Sequence, residues 1–241
     1  MSIIANTVNY LDGDTLLEGY FAYDDAITGQ RPLVIIHHAW AGRDEFAMQK
    51  ARQIAGLGYL GFAADMYGQG LTGSGPEENA KLMQPFIQDR AKLQQRQQAA
   101  LAAAKLLPWA DSNRAAAIGF CFGGLCALDF ARSGADLRGV VAFHGLFTPP
   151  ANIPHPKIKA KVLVLHGHAD PMATPEQLLA LQTELTQAGA DWQTHVYGHT
   201  LHAFTNPAAN DRNFGTVYQA DADRRSWQAM ANFLSEIFNS P

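Results

Sequence analysis

Only two of the 241 residues are cysteine, Cys121 and Cys126. Two thiols cannot build a disulfide framework, and the expectation is a reduced, cytoplasmic protein. Positive charge is equally scarce. Eighteen Lys and Arg against 22 Asp and Glu leave a net charge of −4, so no basic field invites nucleic acid or an anionic membrane, and neither is expected as a partner. The chain also lacks a long apolar run, and Met1-Ser2-Ile3-Ile4-Ala5-Asn6-Thr7 has no basic start leading into one. Neither a membrane span nor a signal peptide is expected. No internal repeat or linker divides the sequence, whose 47% hydrophobic content suffices for one domain over residues 1–241, expected to act as a monomer.

What is present is an alternation of strand and helix patterns. Residues 7–23 carry Asp12-Gly13 between alternating segments, which predicts a β-hairpin at the edge of a mainly parallel sheet. Strands are expected at 33–37, 59–64, 114–118, 140–143, 161–166 and 191–197, and helices at 44–56, 124–132, from about 175, and 221–238. In the last of these, Trp227, Met230, Phe233, Leu234 and Ile237 fall on one face. The polar, alanine-rich stretch 77–107 predicts a helix interrupted at Pro85, with its charges on a solvated face. Residues 68–75 are glycine-rich without the helix start that a phosphate loop requires, so a mobile rim of a pocket is expected there. The proline-bounded segment 149–156 is expected to form a lid or rim.

The chemistry concentrates at Gly119-Phe120-Cys121-Phe122-Gly123-Gly124. A strand pattern precedes it and a helix pattern follows, the context of a nucleophile elbow, here with cysteine in place of the usual serine. Small residues beside the nucleophile allow the tight turn, and the start of a helix offers N–H groups and a positive dipole end that favour thiolate. In hydrolases built this way an acid and then a histidine follow, each after a later strand. Asp170 stands just beyond the strand at 161–166, and the loop after the last strand holds His199 and His202. A histidine there would take the thiol proton, and Asp170 would fix its tautomer. The bland alternatives are that Cys121 is a buried structural thiol, as Cys126 is expected to be, and that Asp170 only caps the helix near Pro175.

These residues resemble the dienelactone hydrolase family, cysteine-dependent members of the α/β-hydrolase fold. The resemblance spans nearly the whole chain: Leu33-Val34-Ile35-Ile36-His37-His38-Ala39-Trp40, Gly58-Tyr59, Ala64-Asp65-Met66-Tyr67-Gly68, the elbow, Gly167-x-x-Asp170 and His202-x-Phe204. It implies an α/β architecture with a mainly parallel sheet of seven or eight strands flanked by helices. It also implies a triad of Cys121, Asp170 and His202, His202 being preferred to His199 because the family pattern ends in His-x-Phe. The implied reaction is hydrolysis of a small-molecule ester or lactone through a thioester, without cofactor or metal. The oxyanion would be held by the N–H of Phe122 and a second from Ala39 or Trp40.

Two positions depart from the family pattern. Where its best-known members have glutamate after His37, this chain has His38, which would poise the thiol either as a neutral acceptor or as an imidazolium partner. Where members that bind the dienelactone carboxylate have arginine, it has Asn206, so neutral substrates are expected unless another arginine such as Arg90 reaches the pocket. His144 replaces an aromatic residue after the mid-sheet strand and is either a pocket or a structural histidine. Three rival functions remain: a metal site built on the pairs His37-His38, His166-x-His168 and His199-x-x-His202, although no paired cysteines or His-Glu-x-x-His helix supports it; an amidotransferase-like cysteine enzyme; and a binding protein without turnover.

Overall fold

The computed structural model describes residues 2–151 and 157–239. Strands β1 (Ile3–Asp12) and β2 (Thr15–Asp24) form the hairpin, with Gly13 at φ 55° in the two-residue turn. There follow β3 (Arg31–His37), α1 (Glu45–Gly56), β4 (Leu60–Ala64), α2 (Pro76–Gln88), α3 (Arg90–Lys105), β5 (Ala110–Phe120) and α4 (Phe122–Arg132). Then come β6 (Gly139–Phe143), β7 (Lys161–Gly167), α5 (Pro175–Gln187), β8 (Trp192–Tyr197), a ribbon of β9 (Asn210–Asp211) and β10 (Thr216–Val217), and α6 (Ala220–Asn239).

Eight strands make one sheet in the order β1-β2-β4-β3-β5-β6-β7-β8. β2 pairs antiparallel with β1 and β4, and every pairing from β4 through β8 is parallel. Alternate residues of each strand feed opposite faces. Leu33 and Ile35 of β3 join the core shared with α3, α4 and α5, whereas Val34 and Ile36 join the one shared with α1 and α6. Strands buried on both faces need continuous apolar runs, which is why Val-Leu-Val-Leu at 162–165 is entirely buried. This is the α/β-hydrolase arrangement expected from the sequence.

Successive crossovers leave β3 in the middle, with β4 on one side and β5 on the other. Open parallel sheets bind ligands where the winding reverses, beyond the carboxyl ends of such neighbouring strands. The β3/β5 register sets His37 opposite Gly119, which brings the turn at 38–40 beside the elbow.

Several expectations are corrected. The long helical stretch breaks at Asp89, not at Pro85. Pro85 lies in the last turn of α2, where the missing N–H leaves only the carbonyl of solvent-exposed Lys81 without a helical partner. Asp89 then caps α3, accepting from Lys92 N–H at 3.1 Å. Nor is the charged face of α3 wholly solvated. Arg90 and Arg96 are buried and ion-paired with Asp129 (2.6 Å) and Asp12 (2.9 Å). Residues 68–75 do not line the cavity at the elbow. Asp65 gathers their start, accepting N–H bonds from Gly68 and Gly70, while Tyr67 and Glu18 supply two more. The loop expected as a lid falls partly on 152–156, outside the described residues; its Pro149, Pro150 and Ala151 border a separate depression.

Candidate active site

Cys121 is the single residue between β5 and α4, with φ 57° and ψ −116°. Such a conformation costs a side-chain-bearing residue free energy and is held only where surroundings impose it. The neighbouring glycines explain how. A Cβ on Gly119 would stand 1.9 Å from Gly123 O, and one on Gly123 would stand 2.1 Å from His37 O. Gly123→Ala is therefore expected to destabilise the fold by about 3 kcal/mol or more, the upper range for forced overpacking; the midpoint of urea unfolding measures it.

The other strand ends converge on Cys121. Asp170, beyond β7, accepts from His202 Nδ1–H at 2.7 Å through Oδ2, and its Oδ1 accepts from Met172 N–H at 2.8 Å. Both residues are buried. Asp170 does not cap α5, whose N-cap is Thr174 in a capping box with Gln177. His202 is fixed by the small ribbon: its N–H donates to Gly215 O and its carbonyl accepts from Val217 N–H. His199 points elsewhere, exposed at a turn with φ 58°. Nothing in the sequence announced the ribbon, because two-residue strands carry no periodicity.

His202 Nε2 is buried and has no hydrogen-bond partner at ordinary geometry. Cys121 lies near enough to act on it electrostatically. Burial works to lower the His202 pKa, but its interactions with Cys121 and with the Asp170 side chain outweigh it and raise the value to about 10.

The cavity at this point measures about 210 Å³ and is lined by Cys121, His202, His144, Ala39, Trp40 and Asn206 together with apolar Phe46, Met83, Phe120, Leu146, Met172 and Phe214. Asp44 contributes a carboxylate, already engaged in capping α1 by accepting from Ala47 N–H at 3.1 Å. Among the described residues no lysine or arginine lines it. Arg90 is committed to Asp129 and to a different depression. Trp40 stacks on Phe214 at 5.7 Å, and its carbonyl accepts from Tyr67 OH at 2.8 Å. Among the described residues, the N–H groups of Ala39, Trp40 and Phe122 find no backbone acceptor in the loops and caps around them.

The histidines do separate work. His38 is buried with both nitrogens taken by backbone: Nδ1–H donates to Ala39 O at 2.6 Å, and Nε2 accepts from Met66 N–H at 3.3 Å. Burial first lowers its pKa, so it is neutral, and neither nitrogen is free to receive the thiol proton. His37 is likewise neutral, lowered by burial to about 3. His144 touches the elbow, accepting Cys121 N–H on Nδ1 at 3.1 Å. Among the described residues no three His, Cys, Asp or Glu groups gather as metal ligands, and no helix is long and apolar enough to cross a membrane.

The sequence profile of the dienelactone hydrolase family matches residues 17–238. The chain belongs to the dienelactone hydrolase family. Its likeness to a solved dienelactone hydrolase-like promiscuous phosphotriesterase from metagenomic libraries is 38% identity, covering 99% of this chain and 100% of that one, with a TM-score of 0.95. A Yersinia pestis protein named provisionally as a carboxymethylenebutenolidase is 27% identical over 91% of this chain and 84% of its own length. A dienelactone hydrolase structure from Anabaena variabilis shares the fold, with a TM-score of 0.68 at 20% identity over 99% of this chain and 98% of that one. The dienelactone hydrolase assignment makes this protein a hydrolase.

Proposed function

We propose that this protein hydrolyses small neutral carboxylic esters or lactones through a thioester on Cys121. The observation that carries the reading is the strained Cys121 in one cavity with His202, itself bonded to Asp170 at 2.7 Å. The attacking form in this reading is the Cys121 sulfur after its proton has passed to His202 Nε2. Sulfur attacks the ester carbonyl carbon, and the π electron pair moves to oxygen. Phe122 N–H and an N–H of Ala39 or Trp40 stabilise that oxyanion. On collapse the C–O bond breaks, and His202 Nε2 gives its proton to the departing alkoxide. Now neutral, His202 takes a proton from water, whose oxygen attacks the thioester; the acid departs and the ion pair is restored. Asp170 holds the ring tautomer throughout. Residues 1–241 act in this reading as one domain, and His38 serves to shape the turn that carries Ala39 and Trp40.

An aryl ester with a chromogenic leaving group tests this. When thioester hydrolysis is the slower step, a burst near one equivalent of phenolate per protein is expected; absence of turnover on a panel of esters, lactones and thioesters would remove the reading.

The lining predicts substrate charge. Desolvating a carboxylate without a cationic partner is costly, and an amide at Asn206 supplies N–H donors but no charge. Neutral esters are expected to show kcat/KM about tenfold or more above carboxylate-bearing analogues of equal size, tenfold being about 1.4 kcal/mol. Asn206→Arg should narrow that ratio by offering a bidentate cation. A wild-type preference for the carboxylate would contradict this account of the pocket.

A second reading has one observation in its favour. An apolar cavity without a cation also suits a neutral phosphate triester, the class named for the metagenomic relative. Turnover of an aryl dialkyl phosphate, lost in Cys121→Ala, would establish it.

A further inference from the structure

His144 lies outside the proton relay, yet it touches both halves of the site. Its Nδ1 accepts the N–H of Cys121 at 3.1 Å, a proton shared with Phe143 O at 3.1 Å. An acceptor at Nδ1 fixes the tautomer with the proton on Nε2, so Nε2–H donates to Thr205 Oγ1 at 2.8 Å. Thr205 is three residues beyond His202 in the loop that carries the base. The His144 ring meets the His202 ring edge-on at 5.0 Å and Phe204 at 5.0 Å. His144 itself takes φ 37° and is buried. One side chain thus ties the backbone of the elbow to the loop of the catalytic histidine.

We infer that His144 and Thr205 are positioning residues that hold Cys121 and His202 in register. Without the brace, the loops after β5 and β8 would keep only separate anchors, Phe143 O for Cys121 and the β9/β10 ribbon with Asp170 for His202, and nothing would tie one loop to the other. Misplacement by about 1 Å costs about 100-fold in rate. Protonation at Nδ1 would remove the acceptor for Cys121 N–H and set a second cation against the His202 imidazolium. Burial first, then repulsion from His202, hold the His144 pKa well below the ordinary value, which keeps it neutral.

The inference rests on the proposed role of Cys121, and two readouts keep the failures apart. Alkylation of Cys121 by iodoacetamide reports nucleophile placement with no substrate present; ester turnover reports the whole reaction. His144→Leu deletes both hydrogen bonds. It is expected to lower kcat and the Cys121 alkylation rate by about 10- to 100-fold with KM changed less than about threefold. His144→Asn offers a carbonyl oxygen near the Nδ1 place and tolerates φ 37°, so it should recover much of the alkylation rate. Thr205→Val should lower both rates by about five- to tenfold, and Thr205→Ser, which restores the hydroxyl, should recover them. The double variant should be no worse than His144→Leu, since both residues act through one chain of bonds. Folded His144→Leu with kcat and alkylation within twofold of wild type would overturn the proposal. Should His144→Leu not fold, Thr205→Val with both rates unchanged would overturn it equally. Wild-type protein that turns over no ester but whose alkylation still depends on His144 and Thr205 would sink the hydrolase reading and keep the brace.

Discussion

Cys121→Ala is expected to lower ester turnover by about four orders of magnitude or more, the scale associated with losing a catalytic nucleophile, while leaving the fold intact. The half-buried thiol contributes little packing. Alanine meets the same positive φ as cysteine, so the elbow strain is unchanged. A melting temperature within about 3 °C of wild type should accompany the loss, as for substitutions away from a packed core. The two thiols should also separate chemically. Cys126 is fully buried on α4, and burial raises its pKa well above the ordinary value, which leaves it unreactive. Iodoacetamide should therefore label Cys121 first, and equal labelling of both would contradict the assignment. Cys121→Ser should be a poor enzyme, because a hydroxyl needs a base matched to a far higher pKa.

His202→Ala is expected to lower kcat by about 100- to 10,000-fold, the range for a positioned general acid and base, with His199→Ala costing less than about threefold. The reverse ranking would move the base to the exposed turn. Asp170→Asn should fold yet lose rate, since an amide can present N–H to Nδ1 and turn the ring to the wrong tautomer. The raised His202 pKa carries its own test. Nitrogen NMR of the imidazole should find the ring protonated well above pH 6.5 in wild type. In Cys121→Ala the midpoint should fall: the raising contribution of the sulfur is gone, burial still acts to lower it, and Asp170 opposes. An unchanged midpoint would mean that Cys121 carries no charge beside His202.

The sheet was largely legible because its signals are local. Doubly buried parallel strands require runs such as Val162-Leu163-Val164-Leu165, and the glycines around Cys121 leave a pattern that only a tight strand-to-helix turn explains. What the sequence hid was pairing over distance. Arg96 reads as an exposed helix charge until Asp12, 84 positions earlier, is seen beside it. His144 reads as either pocket or core until Thr205 is found 61 positions away. His38 stands where a glutamate would, which suggested activation of the thiol, but its partners are the backbone of Ala39 and Met66. Backbone partners write nothing into the pattern of side chains. Asp89 prevails over Pro85 as the helix break because proline in a final turn costs little when the orphaned carbonyl faces solvent.

The most direct test is intact-protein mass spectrometry on acid-quenched turnover of a slowly deacylated neutral ester. The account predicts one added acyl group per chain, located on the peptide bearing Cys121, released by neutral hydroxylamine, and absent from Cys121→Ala. Turnover with no adduct on Cys121, or an acyl group carried by another residue, would contradict it.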